Sequence, residues 1–106
     1  MKVKIHSVKF DADKELHSFV TERVDKLELF YDKIVAGEVF LRIDGTSKTD
    51  DKVAEIRLTI PGKELFAKKN GKSFEEATDL AVDALRRQLK KTKQKAKSKN
   101  SLAFFA

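Results

Sequence analysis

Apolar and polar residues alternate along four stretches of the chain, and a period of two predicts β-strands. These stretches cover residues 2–9, 38–44, 53–60 and 64–69. Between the last two, Pro61 and Gly62 predict a tight turn, because proline presets φ and glycine allows a positive φ. The side chains expected to face the core are Val3, Ile5, Val39, Leu41, Ile43, Ala54, Ile56, Leu58, Ile60, Leu65 and Ala67.

Two further stretches repeat their apolar residues every three or four positions, which predicts amphipathic helices. The first helix begins after the N-cap candidate Asp13 and runs through Ile34. The second begins at Ser73, whose spacing from Glu76 fits a capping box. It extends to about residue 100, and we expect the apolar tail 101–106 to lie outside it.

The resulting order, β-α-β-β-β-α, predicts an α+β fold in a single domain, residues 1–100, followed by the short tail. A β-α-β step is normally right-handed and makes its two strands parallel, whereas the later hairpins are antiparallel. Each strand has one apolar face, so both helices should cover the same face of a four-stranded mixed sheet. We therefore expect a two-layer sandwich, with a polar loop at 45–51.

Residue types argue against several classes of function. The 106 residues contain no cysteine and only two histidines, which are far apart, so we expect no metal site and no cofactor. A glycine-rich phosphate loop and the common catalytic motifs are missing from the sequence, which predicts that the protein is not an enzyme and has no small-molecule substrate. No apolar run has the length of a signal peptide or membrane span, which predicts a cytoplasmic protein without a membrane partner.

Positive charge is concentrated at one end of the chain. Residues 1–85 hold 15 Lys and Arg against 17 Asp and Glu, a net charge of −2. Residues 86–106 hold eight Lys and Arg and no acidic residue. A localised basic field of this kind is typical of proteins that bind RNA, DNA or an anionic membrane surface.

On a helical wheel the basic residues form two rows. One row is Arg86, Lys90, Lys93 and Lys97, and the other is Arg87, Lys91 and Lys95. Beyond Leu89 the core-facing positions are charged, so this end of the helix should extend past the sheet. The lack of an apolar face there argues against a membrane-surface helix.

A solvated tail that only aids solubility is the competing interpretation of this basic segment. Without acids, however, the segment cannot form i,i+4 ion pairs, and its like charges destabilise an isolated helix. This cost favours a polyanionic partner that neutralises the charges.

Two other surfaces leave alternatives open. Arg23 and Lys26 in the first helix either lie over the core with their heads in water, or line a groove with Arg87 and Lys91. On the outer sheet face, Phe40 and Phe66 lie among cations, which suits RNA stacking, a protein contact or an ordinary surface.

The segments HSFVTERVDKLELFYDKI (17–34) and AxDxxxxxLxRQLxKxKxK (77–95), together with the element order, resemble the ribosome hibernation promoting factor family. That family includes the ribosome-associated inhibitor called protein Y. The resemblance covers almost the whole chain. It implies a fold similar to a double-stranded RNA-binding domain and a protein that is not an enzyme. It also implies binding to small-subunit rRNA in the tRNA and mRNA channel, which blocks initiation under stress or in stationary phase.

Carried onto this sequence, the resemblance implies rRNA contacts by Arg87, Lys91, Lys93 and Lys95, and less directly by Arg23 and Lys26. Arg86 and Lys90 would supply general positive field. The chain departs from the family at Glu75, where an aromatic residue is common, and it resembles the short form of the family. The alternatives are a general duplex RNA-binding protein and a protein-interaction module with a solvated tail.

Overall fold

A computed structural model of the protein describes the backbone of residues 1–45 and 51–105, and the side chains of residues 1–45 and 51–94. Most of the predicted loop at 45–51 therefore lies outside the described residues. The elements are β1 (Lys2–Ser7), α1 (Lys14–Asp25), a 3₁₀ turn (Lys26–Leu29), β2 (Ala36–Ile43), β3 (Lys52–Ile60), β4 (Lys63–Gly71) and α2 (Phe74–Phe105).

The four strands form one mixed sheet in the order β1-β2-β3-β4. β1 is parallel to β2, whereas the β2–β3 and β3–β4 pairs are antiparallel. The register aligns Ile5 with Val39, Val39 with Ile56, and Ile56 with Ala67, so the apolar positions share one face. The predicted topology is therefore confirmed.

The core lies between that face and the two helices. It includes the buried residues Val20, Val24, Leu27, Val39, Leu41, Ile56, Leu58, Ala77, Ala81, Leu85 and Leu89. Both helices pack on the same side of the sheet, which confirms the two-layer α+β sandwich. The prediction that Ile43 faces the core is wrong, because this residue ends β2 and is 51% exposed.

The β3–β4 hairpin turns at Pro61–Gly62, where Gly62 has φ +84° as predicted. The turn pairs Ile60 with Lys63, and counting from there along the antiparallel ladder makes Phe66 a residue whose carbonyl points away from β3. Gln88 of α2 donates its side-chain amide to that carbonyl at 2.9 Å. α2 thus covers part of the free edge of β4.

The first helix is shorter than predicted. α1 begins at the expected N-cap, where the amide of Leu16 donates to the carboxylate of Asp13 at 2.8 Å. It ends at Asp25 and continues as the 3₁₀ turn, not as an α-helix through Ile34. Three-residue spacing of apolar residues is compatible with both helix types, so periodicity did not distinguish them.

The second helix is longer than predicted. The amide of Glu76 donates to Ser73 Oγ at 3.1 Å, which confirms one half of the predicted capping box. The helix continues through Phe105, so the expectation that residues 101–105 lie outside it is wrong. No glycine or proline occurs after Gly71 to stop the helix.

Helix length sets the shape of the molecule. At ~1.5 Å per residue, the 32 residues of α2 span ~48 Å, whereas a nine-residue strand spans ~30 Å. The longest dimension of the protein is 54 Å. The basic half of α2 therefore extends past the sheet, as its charge pattern predicts.

Candidate nucleic-acid interface

The basic half of α2 and the end of the 3₁₀ turn form a cleft of about 420 Å³, called here the basic groove. Four cations and two apolar residues line it: Arg86, Arg87, Lys90, Lys93, Leu29 and Phe30. Three other clefts in the described part of the chain are each lined by at most two Lys or Arg residues.

Helix geometry explains why these cations share one side of α2. Leu85 and Leu89 are fully buried and fix the rotation of the helix on the sheet. Residues 86, 90 and 93 follow at helical spacing on one flank of that contact, and Arg87 lies on the side turned away from the sheet. All four cations are exposed.

The 3₁₀ turn supplies the apolar part of the groove. It buries Leu27 in the core, which leaves Leu29 82% exposed and Phe30 46% exposed. The guanidinium of Arg86 lies 5.7 Å from the centre of the Phe30 ring, a cation–π contact that connects the two walls.

Asp83, one turn earlier on α2, pairs with two of the groove cations. Its carboxylate accepts a hydrogen bond from Arg86 at 2.6 Å and another from Arg87. The hydrogen bond from Arg86 is the largest cause that lowers the pKa of Asp83 below its ordinary value. Asp83 is therefore ionised at neutral pH, and a phosphate that binds Arg86 or Arg87 must compete with it.

We expect Asp83→Asn to raise affinity for RNA about two- to fivefold at low salt, because one competing charge is removed from an exposed site. Fluorescence anisotropy with a labelled RNA measures the change. In the wild type the ion pairs are lost only as pH falls through the lowered pKa of Asp83, so the advantage of the variant should persist across neutral pH.

Asp79→Asn is the matched control, since Asp79 lies one turn away and pairs with Arg23 instead of the groove cations. An equal gain from both variants would contradict a specific role for Asp83 and would favour RNA contact by Arg23.

Arg23 and Lys26 do not reach the basic groove, which corrects the hypothesis that they line a groove with Arg87 and Lys91. Arg23 lies 4.7 Å from the centre of the Phe19 ring, and its Nε is 3.2 Å from Oδ1 of Asp79, so it connects α1 to α2. Nζ of Lys26 lies 3.9 Å from Glu22 on the outer face of α1. The cleft there also contains Asp25, and its acids make it less suited to phosphate.

Lys91 also lies apart from the groove cations. The structure places Lys91 beside Gln88 and Thr92, above the start of β4 near Lys63. Lys95 belongs to α2, but its side chain lies beyond those described. Arg86 and Lys90, expected to give only general field, join Arg87 and Lys93 in the groove.

The outer sheet face carries a row of planar groups that stack on one another. His6 of β1 stacks on Phe40 of β2, with ring centres 4.8 Å apart. From β3, Arg57 lies 5.6 Å from Phe40 and 5.8 Å from Phe66. Because β1 and β3 flank β2, Phe40 is contacted from both sides, so its ring offers no open face to a base.

The described residues reveal no other candidate chemistry. Among them, no three His, Asp or Glu side chains cluster in a way that could bind a metal ion. No helix in the described part of the chain contains an apolar stretch suited to crossing a membrane. The basic groove is therefore the site that needs a functional explanation.

Comparison with known proteins decides the family. Residues 3–97 match the family model described as Sigma 54 modulation protein / S30EA ribosomal protein. The chain belongs to this family. The match covers α1, β2, β3 and β4 in full, most of β1 and α2, and all six residues of the basic groove. It confirms the resemblance found in the sequence.

Similar family members include ribosome hibernation promoting factors. The protein from Pseudomonas putida is 34% identical over 98 residues, which covers 92% of this chain and 92% of the relative. The protein from Escherichia coli strain K12 is 32% identical over 97 residues, covering 92% of this chain and 98% of the relative.

Solved structures share the fold at lower identity. A ribosomal subunit interface protein from Coxiella burnetii aligns with a TM-score of 0.78 and 19% identity, covering 89% of this chain and 99% of that one. The N-terminal domain of Thermus thermophilus protein Y aligns with a TM-score of 0.76 and 22% identity, covering 87% and 99%.

Sequence reasoning missed Leu29 and Phe30 as groove residues. The spacing placed Phe30 on the apolar stripe of a helix running to Ile34, and no role was predicted for Leu29. Only a prediction that the first helix ends at Asp25 would have placed these two apolar residues beside the basic row of the second helix. The run of aromatic and β-branched residues after Leu29 is a weak indication of that end.

Proposed function

We propose that the protein is a ribosome-associated hibernation factor that binds rRNA of the small subunit through its basic groove. The observation that carries this proposal is the gathering of Arg86, Arg87, Lys90 and Lys93 on one exposed side of α2. Membership of a family whose relatives are hibernation promoting factors supports a ribosomal partner for the groove. A ribosomal partner also makes the protein cytoplasmic.

Phosphate binding follows from the chemistry of the groove. Arginine and lysine neutralise phosphates, and release of the counterions condensed on RNA drives the association. Arg87 can present two parallel N–H donors to one phosphate, while Lys90 and Lys93 act as point charges. None of these steps needs a bond to be made or broken, which is consistent with a binding protein and not an enzyme.

Inhibition of translation would follow from occupancy of the ribosome by the protein. We infer that the protein fills the channel of the small subunit that tRNA and mRNA use, and that an occupied subunit cannot initiate. The long arm formed by α2 suits a channel, because it presents charge beyond the body of the domain. Its contacts are with RNA backbone, so binding should not require a particular long sequence.

Sedimentation of the purified protein with isolated small subunits tests the proposal. We expect co-sedimentation that falls with salt by about 0.7 to 0.9 log units per log unit of salt for each phosphate contact. Subunits preloaded with tRNA and mRNA should bind less protein, and large subunits serve as the control.

Two outcomes would contradict the proposal. Equal affinity for any RNA duplex would favour a general duplex-binding protein. Absence of binding to both subunits and duplexes would favour a protein-interaction module with a solvated basic helix.

A further inference from the structure

Phosphate binding does not account for the apolar part of the basic groove. Leu29 is 82% exposed and Phe30 is 46% exposed, yet both lie directly beside the groove cations. Exposing these side chains to water is unfavourable, and a phosphate gains nothing from an apolar neighbour. A ligand that covers both parts of the groove must carry an apolar group as well as negative charge.

We propose that the basic groove holds an unpaired RNA nucleotide, with its base on Leu29 and Phe30 and its flanking phosphates on the cations. This inference rests on the proposed function, and it names the class of RNA element that the groove selects: a loop or bulge and not a continuous duplex.

The geometry supplies a stacking position for the base. The guanidinium of Arg86 lies over the Phe30 ring, 5.7 Å from its centre, so the groove already brings a guanidinium group and an aromatic ring together. Unpaired bases stack on both kinds of group. The exposed side chain of Leu29 extends the apolar surface next to them.

Charge surrounds this position on the α2 side. Arg87, Lys90 and Lys93 line the same cleft and can reach the phosphates on either side of the bound nucleotide. The volume of about 420 Å³ falls within the range of ~300–1,000 Å³ typical of small-ligand sites. A single nucleotide is a ligand of this size, whereas a duplex would touch only the rim.

Base pairing makes the groove selective. In a duplex each base is stacked between its neighbours, and its faces cannot reach the protein. Only a base that is already unpaired can contact Leu29 and Phe30 without the cost of unstacking. Leu29 and Phe30 therefore discriminate between RNA elements that carry the same backbone charge.

Anisotropy titrations with two matched RNAs test this inference. One is a short hairpin with a single unpaired adenosine, and the other is the same hairpin with an abasic ribose at that position. We expect the wild type to bind the adenosine hairpin about 5- to 100-fold more tightly, the range set by base–aromatic stacking. The combined change Leu29→Ala and Phe30→Ala should bring the affinities for the two hairpins to within about twofold of each other, because the base then has no apolar surface to contact.

Leu80→Ala is the matched control, because Leu80 is an apolar residue of α2 that is 44% exposed and does not line the groove. It should keep the preference for the adenosine. Equal affinity of the wild type for the two hairpins would overturn the inference, and this comparison needs no variant. If small subunits still co-sediment with the wild type in that case, the proposed function stands and only the base-binding role fails.

Discussion

Replacing Arg86, Arg87, Lys90 and Lys93 together by alanine should weaken co-sedimentation with small ribosomal subunits at least about 100-fold near ~0.1 M salt. The same change should reduce the log–log salt slope by about three, because each lost phosphate contact removes about 0.7 to 0.9. Quantitative pelleting at several salt concentrations measures both quantities.

The fold should survive these four substitutions. All four side chains are exposed, alanine favours helix, and removing like charges relieves repulsion along α2. Circular dichroism should therefore give an unfolding midpoint close to that of the wild type, because the exposed ion pairs of Arg86 and Arg87 with Asp83 contribute little to stability. A loss of binding then reports on the site and not on the stability of the domain.

A second variant tests whether RNA binding depends on the total charge of the protein or on the position of the charges in the groove. Four other exposed lysines lie away from the groove: Lys2, Lys4, Lys14 and Lys33. Changing them to alanine removes the same charge from the protein. If this control lost as much affinity as the groove variant, a diffuse field would explain binding and the groove would have no specific role.

Gly71→Ala should lower the free energy of unfolding by about 1–3 kcal/mol. A Cβ at this position would lie 2.8 Å from the backbone nitrogen of Ala77, so α2 would have to move away from the end of β4. Since Gly71 is buried where the helix begins to cross the sheet, no flexible side chain can absorb the overlap. Urea denaturation measures the change.

Gly45→Ala is the control for the effect of replacing a glycine by alanine without close packing. A Cβ there would meet no atom of the described residues within 4 Å, so the expected change is within about 0.5 kcal/mol. A loss of stability as large as that of Gly71→Ala would show that conformational freedom, and not close packing against Ala77, limits substitution at Gly71.

The fold was predictable because its determinants are local and repeated. Alternation through Ile56 and Leu58 marks a strand with one apolar face, and Asp13 and Ser73 mark helix starts by their capping chemistry. Once these elements are ordered along the chain, the rules for β-α-β crossovers and hairpins leave few arrangements. The predicted C-terminal ends of both helices were wrong, because no comparably strong signal in the sequence marks where each helix stops.

The site was predictable only in part, because a groove depends on two elements that are distant in sequence. The wheel placed Arg86, Lys90 and Lys93 in one row, but it could not identify what lies across from them. Phe30 supplies that opposite wall because the 3₁₀ turn rotates it out of the core. The sequence left two alternatives open for Arg23 for the same reason, since its partner Asp79 lies on another helix.

The hydrogen bond from Gln88 to the carbonyl of Phe66 has a consequence for self-association. An uncovered edge strand is a template on which another chain can add a strand and begin an aggregate. Gln88 occupies part of that template and is adjacent to Arg87 of the basic groove. Lifting α2 from the sheet would therefore dismantle the groove and expose the template in the same motion, so a molecule without its basic groove would also be the one most prone to aggregate.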